Sequence, residues 1–404
     1  MPVILIAISA IISRNATKSW LSPASFISIF WLIFMIAPLI FASEFYINSS
    51  GLWYIALFVM ACSSGGVFAS SFFRNQNYIS NNINDLSYDK LKIPLIISIF
   101  ISLFGILCLV IFTIDFYKIK NLFLVPNLIS IDRYNETLDY PIIVKYPLYF
   151  IYPSNILGGI LSTKKSNNFS YKILCFIPLV ISIFLGLIEG SRTSILLGSI
   201  LFASSKIGII AKTNKRDSSS IYTILSKVVI ITMIFTFFFV FVQWLRQGLD
   251  SLVIELITER LKIYFFGYLS AFTIWFGDID NIFNSHSLMS TFAGPFSIIG
   301  LIDRSLGFYD SQIIYNGVST NIYTALRGLI SDFSIFGSII ISFIIGIFFQ
   351  LQFQKNVGIN NFVGVLPISI FYSFILYSPL ISIFHYNSIF FSWILVFIIL
   401  KIAR

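Results

Sequence analysis

The chain has 404 residues, of which 57% are hydrophobic and only 11% charged, with a formal net charge of +9 and a mean hydropathy of +0.91. Soluble domains run near a quarter charged, so this composition excludes a water-soluble fold. The positive balance does not point to nucleic acid either, because the basic residues are scattered thinly over short turns with no recognition element.

A spanning helix needs about 20 mostly apolar residues. Residues 3–12 are short for a span, and they lack the basic start and small-residue cleavage site of a signal peptide, so they read as a short first helix. Apolar runs then follow at 21–41, 52–72 and 93–114, with an interrupted one at 142–161 that carries Pro147 and Pro153. Further runs occupy 173–188, 193–211 and 228–244 and, after a long polar segment, 335–351, 362–384 and 386–400. The pattern predicts an all-α, polytopic integral membrane protein of about 10–12 transmembrane helices. It forms a single membrane domain, 1–404, with residues 246–330 as one large loop inserted between spans. Cys62, Cys108 and Cys175 lie inside apolar runs without metal or redox spacing and read as inert packing residues.

Placed alternately on two sides, the loops separate by charge. One side collects 16 of the 26 basic residues, among them Arg14, Lys90, Lys164, Lys212, Lys355 and Lys401, with three acids, Asp85, Asp89 and Asp217. The excess of positive charge in short loops marks the cytoplasmic side. The C-terminus is therefore expected in the cytoplasm, with segment 246–330 facing outward.

Ionisable residues inside spans are costly and usually functional. The predicted span interiors contain essentially none, which counts against a coupled transporter. Charge gathers instead at the outer helix ends. Gly190-Ser191-Arg192-Thr193 requires a tight hairpin with Glu189 and Arg192 at its tip. The two side chains either form a capping ion pair, or Arg192 is held at the surface as a planar fork for a lipid-linked phosphate. Trp244 and Arg246 open the large segment as a belt aromatic and a snorkelling cation, or as part of the same surface.

From 253 to 276 the pattern is amphipathic. Glu255, Glu259 and Lys262 share one face, and Ile254, Ile257, Leu261 and Phe265 another, so the helix lies on the outer leaflet or partly re-enters it as a lid or platform. Asp278, Asp280, His286, Asp303, Arg304 and Asp310 follow without metal-loop spacing, and no metal is expected. His286 is a solvated loop side chain or a general base near neutral pH. Asn321, Tyr323, Arg327 and Asp332 gather where the loop meets the next span. Asp332 there either complements a helix dipole or joins a carbohydrate- and phosphate-binding surface.

At these residues the chain resembles the oligosaccharide repeat-unit polymerases, the Wzy-type O-antigen polymerase family. The likeness is carried by the G-S-R-T turn (Gly190 to Thr193) leading into an apolar helix, and by the N-x-Y-T-x-x-R…D-F…G pattern formed by Asn321, Tyr323, Thr324, Arg327, Asp332, Phe333 and Gly337. Trp20-Leu21-Ser22-Pro23 ahead of the second apolar run adds to it. The resemblance covers most of the chain in layout and about 20 residues in motif. It implies that a growing glycan passes from one undecaprenyl diphosphate to the repeat unit on another, on the outer face of the cytoplasmic membrane. Neither cofactor nor nucleotide is needed. Arg192 and Arg327 would then clamp phosphate by the matched motifs, and Arg246 and Arg304 by position, with Trp244, Asn321 and Tyr323 against substrate. Asp332, Glu189 and His286, in that order, are candidates for the base. The implied partners are the lipid-linked donor and acceptor, the bilayer and a protein that limits chain length. The chain departs from the family pattern in lacking a pair of R-x10-G repeats, which leaves the donor-holding and acceptor-holding loops unassigned. An O-antigen ligase and a lipid-linked oligosaccharide flippase are the alternative readings.

Overall fold

The computed structural model describes residues 1–72, 85–118, 124–135, 137–164, 166–213, 237–238, 240–246, 254–278, 289–302, 309–355 and 362–403. Six of the described helices are long and apolar enough to cross a membrane. In chain order, α1 is Pro2–Thr17, α2 Pro23–Phe41, α3 Ser49–Ser71 and α4 Asp85–Tyr117. A short α5, Val125–Tyr134, precedes α6, Ile142–Tyr149, and α7, Ile151–Leu161, which meet at Phe150. The α8 (Phe169–Ile188) and α9 (Arg192–Thr213) pair follows. Residues 240–246 are helical. The chain continues with α10, Ile254–Gly277, and α11, Ala293–Ile298. Next come strands β1, Gln312–Tyr315, and β2, Val318–Thr320, and then α12, Ala325–Gln354. Finally α13 is Leu366–Tyr377 and α14 Asn387–Ile402.

Several predicted spans take a different form. The run 142–161 is two helices, and 362–384 resolves into a 3-10 turn, the 12-residue α13 and a second 3-10 turn. Helix α12 starts ten residues before the predicted span and is interrupted at Ser334 (φ 65, ψ 174). The β-hairpin stands in a loop where only helices were expected. Its turn is Asn316-Gly317, both with positive φ, the combination that a type I′ turn selects.

Backbones approach closely where side chains are small. Gly65 lies against the Phe343 carbonyl and Gly346 against that of Cys62, so α3 and α12 pack nearly in contact. The seam also carries Tyr54 Oη to Ser338 Oγ (2.7 Å) and Ser342 Oγ to the Phe58 carbonyl (2.7 Å). Away from it, Phe100, Phe104, Leu107 and Ile111 of α4 and Phe336, Ile340, Ile344 and Phe348 of α12 are exposed, the face a lipid-embedded helix presents.

The bundle has two chemically distinct ends. At one, Lys164 pairs with Asp89 (2.9 Å), and Lys212 donates to the backbone carbonyls of Gln352 and Lys355, closing the last turn of α12. At the other lie the α2–α3 connection, α5, the α8–α9 turn, α10, the hairpin and the start of α12. There α10 crosses the α2–α3 tip. Tyr268 donates to the Phe34 carbonyl, Ser270 to that of Tyr46, and Lys262 pairs with Glu44. Tyr268, Leu269, Ala271, Phe272 and Trp275 are core residues, so the second half of this helix is integral to the fold and does not lie loose on a leaflet.

Candidate functional site

The α8–α9 turn is built on glycine. Gly190 adopts φ +58, and the Ser191 N–H reaches back to the Gly186 carbonyl (2.9 Å), closing α8 in a Schellman arrangement. A Cβ at Gly190 would sit 2.8 Å from the Pro126 carbonyl oxygen and 3.0 Å from Arg246 Cγ. The turn therefore places Glu189, Arg192, Arg246 and α5 together.

Helix α5 begins with Pro126 in its first turn, where a missing N–H costs nothing. Three of its polar residues, at spacing three, share one face and grip the turn. Asn127 donates to the Arg246 carbonyl, Ser130 Oγ accepts from Arg246 Nε (2.9 Å), and Arg133 pairs with Glu189 (3.2 Å). Of the two readings of the turn, the capping Glu189–Arg192 pair gives way to Arg133–Glu189. Glu189 also receives the Ser194 hydroxyl at 3.4 Å. Arg192 instead stacks on the Tyr264 ring (3.8 Å to the centroid) and donates to its hydroxyl (2.6 Å).

Arg192, Arg133 and Arg260 all lie within electrostatic reach of Arg246. Tyr264 records their summed field. Burial raises its pKa, yet Arg192, Arg246 and Arg260 outweigh burial and leave the phenol below its ordinary value. Arg133 is the opposite case: burial opposes its charge, but the Glu189 carboxylate more than restores it. Glu189 offsets one guanidinium, while Asp132 on the same helix accepts from the Tyr117 hydroxyl (2.6 Å). Arg133, Arg192 and Arg246 are each held by a neighbour, and with Arg260 in electrostatic reach they gather four guanidiniums against one paired carboxylate, a charge balance suited to an anion.

A further arginine, Arg327 of α12, packs against the far part of α10. Arg327 is ringed by Tyr323 (4.1 Å), Tyr309 (4.2 Å) and Trp275 (5.1 Å), and its buried Nη1 has no hydrogen-bond partner among the described residues. Trp275 lies eleven residues beyond Tyr264, about 16 Å along the helix. Tyr323 is buried and donates to the Asp310 carbonyl (2.9 Å), so it supports Arg327. Asp332 is buried too. Its Oδ1 accepts the Ser290 N–H (2.8 Å) and its Oδ2 that of Thr291 (2.7 Å), so it pins the chain ahead of α11 and does not cap its own helix. Asn321 is exposed, and Trp244 is half-buried against Phe241. His286 and Arg304 lie outside the described residues. No group of three or more His, Cys, Asp or Glu side chains suited to a metal ion occurs among the described residues.

Of the residues singled out from the sequence, the structure brings Arg192, Arg246 and Glu189 together, and it adds Arg133, Arg260 and Tyr264, which were not singled out. A signal for Arg133 was present in the N-x-x-S-x-x-R spacing behind Pro126. Arg260 and Tyr264 are one helical turn apart. No protein-family model, curated protein or solved structure matches this chain.

Proposed function

We propose that this membrane-embedded chain is a glycosyltransferase that joins lipid-diphosphate-linked oligosaccharide repeat units, an O-antigen-type polymerase working on the periplasmic face of a bacterial inner membrane. The observation that supports this reading is the group of Arg192, Arg246 and Arg260 around Tyr264, with the Arg133–Glu189 pair at its edge. In the proposed reaction an acceptor sugar hydroxyl attacks the anomeric carbon of the donor glycan. The bond from that carbon to the phosphate oxygen breaks, undecaprenyl diphosphate departs, and the hydroxyl proton passes to a base. Charge grows on the leaving diphosphate, where fixed guanidiniums are worth most. Glu189 suits the base: Arg133 fixes its position and it borders the arginines. Asp332 is a poorer candidate because both its oxygens are occupied by backbone N–H groups.

The lysine end then faces the cytoplasm, in line with the excess of basic residues in its loops. The test is a gel of the host's surface glycolipid with the gene replaced by Arg192→Ala. Removing one such donor lowers turnover by roughly 100- to 1,000-fold, so the ladder collapses to glycolipid bearing a single repeat unit while protein level holds. An unchanged ladder removes the reading, and loss of every repeat-bearing band turns it toward a ligase.

A further inference from the structure

At the far end of α10 from the arginine cluster, the α2–α3 connection and the helix terminus enclose an open cleft of about 700 Å³. Its walls include Tyr46, Asn48, Ser49, Ile274, Gly277 and Asp278, and none of the described lining residues is Lys or Arg. Trp275, beside Arg327, is two to three residues back, about 3–4.5 Å along the helix, whereas Tyr264 of the arginine cluster is about 20 Å away.

The cleft is rigid although its aromatic wall is open. Tyr46 is 55% exposed, yet its N–H donates to the Ile314 carbonyl (2.9 Å), its carbonyl accepts from Ser270 Oγ, and the Asn48 N–H donates to Thr273 Oγ1 (3.2 Å). A second ring, Tyr315, stands 6.4 Å away on the hairpin. Asn48 uses its Oδ1 to cap α3, accepting from the Ser50 N–H (3.0 Å) and hydroxyl (2.9 Å). That turns its NH₂ toward Gly277, where any Cβ would collide with it.

Among the described lining residues the charged side chain is a carboxylate, which disfavours an anionic ligand. An apolar ligand is disfavoured by the amide and hydroxyl that it would strip of water. An open phenol ring beside one acceptor-only group, one amide donor and one hydroxyl instead suits a ligand with an apolar ring face and a rim of hydroxyls. We propose that this cleft is a glycan subsite, binding neutral sugar residues of the lipid-linked chain away from the diphosphate. The identity of the glycan rests on the polymerase reading, but the site's chemistry does not. Because its backbone is already fixed, binding costs little ordering.

The experiment uses the full chain in nanodiscs and, as probe, oligosaccharides released by mild acid from the host's own surface polysaccharide, titrated by saturation-transfer NMR. Tyr46→Ala is expected to weaken binding about two- to tenfold, the worth of one aromatic contact. Tyr46→Phe keeps the ring and stays near the parent value, and Arg192→Ala leaves binding unchanged. Absence of binding to the parent protein, or equal affinity of Tyr46→Ala and the parent, overturns the proposal. The two readings fail separately. A ladder that collapses in Arg192→Ala without any oligosaccharide binding to the parent removes the subsite and keeps the polymerase. Binding weakened as expected in Tyr46→Ala while the ladder survives Arg192→Ala keeps the subsite and removes the polymerase.

Discussion

Replacing Gly190 by alanine tests whether the α8–α9 turn organises the arginine site. Two costs are separable. The left-handed backbone, φ +58, costs a residue with a Cβ roughly 1–2 kcal/mol. The added methyl also meets the Pro126 carbonyl at 2.8 Å and Arg246 Cγ at 3.0 Å. Because one of these is backbone, α5 has to shift, an overpacking cost of about 1–3 kcal/mol. The sum is about 2–5 kcal/mol, and the shift falls on the helix that carries Asn127, Ser130 and Arg133. Gly300 is a built-in control, since it has φ +73 and nothing within 4 Å of the place a methyl would take. Gly300→Ala carries the backbone cost alone. Thermal unfolding in detergent, read with the glycolipid ladder, should show Gly190→Ala clearly less stable than Gly300→Ala and without polymer. Gly190→Asn, which tolerates the left-handed region but keeps the Cβ, should stay inactive. Full polymerisation in Gly190→Asn would refute the clash and leave only backbone strain.

The Tyr264 phenol is held below its ordinary pKa by the surrounding arginines, so it ionises earlier than a free tyrosine as pH rises, and the phenolate then competes with phosphate for the same cations. Anion binding, measured with inorganic pyrophosphate, should fall on the alkaline side below about pH 10, and Tyr264→Phe should remove that limb. Asp332→Asn leaves one buried N–H facing an amide NH₂, a cost of about 1–3 kcal/mol. Activity per folded molecule should hold, and its complete loss in well-folded protein would restore Asp332 as a base. Gly346→Val drives a branched side chain into the Cys62 carbonyl, which separates α3 from α12. Folded protein should disappear from detergent extracts, and a monodisperse gel-filtration peak would count against the seam.

The bundle was legible because apolar runs near the thickness of a bilayer leave few other folds. The break at Phe150 was announced by Pro147 and Pro153 on either side of it, but the one at Ser334 was not, because a 3.6-residue period carries no mark there and packing decides. The Asn316-Gly317 turn between Gln312-Ile313-Ile314-Tyr315 and Val318-Ser319-Thr320 was a readable hairpin signal, overshadowed by the hydrophobic bulk around it. The site was half legible. Arg192 and Glu189 announce themselves at a four-residue turn, but nothing local says that Glu189 prefers Arg133, 56 positions earlier, to its neighbour. That choice belongs to α5, a short amphipathic helix in a stretch whose composition resembles a connecting loop. Tyr323 and Asp332 lay in the matched motif, yet their structural work, stacking under Arg327 and holding residues 290 and 291, appears only when distant segments meet.

The break at Ser334 works as a depth gauge. The helix that follows it, residues 335–354, is about 30 Å long, the thickness of a hydrocarbon core. Phe336, just past the break, is among the most exposed aromatics of the chain, as a ring bathed in acyl tails would be. A disrupted backbone ladder is tolerated where carbonyls meet water, at the boundary of the oily layer. By that reckoning Arg327, seven residues before the break, falls at headgroup level. Under the polymerase proposal, a polyprenyl diphosphate drifting in the leaflet would arrive at that height with its chain still in the oil and its sugars already in water.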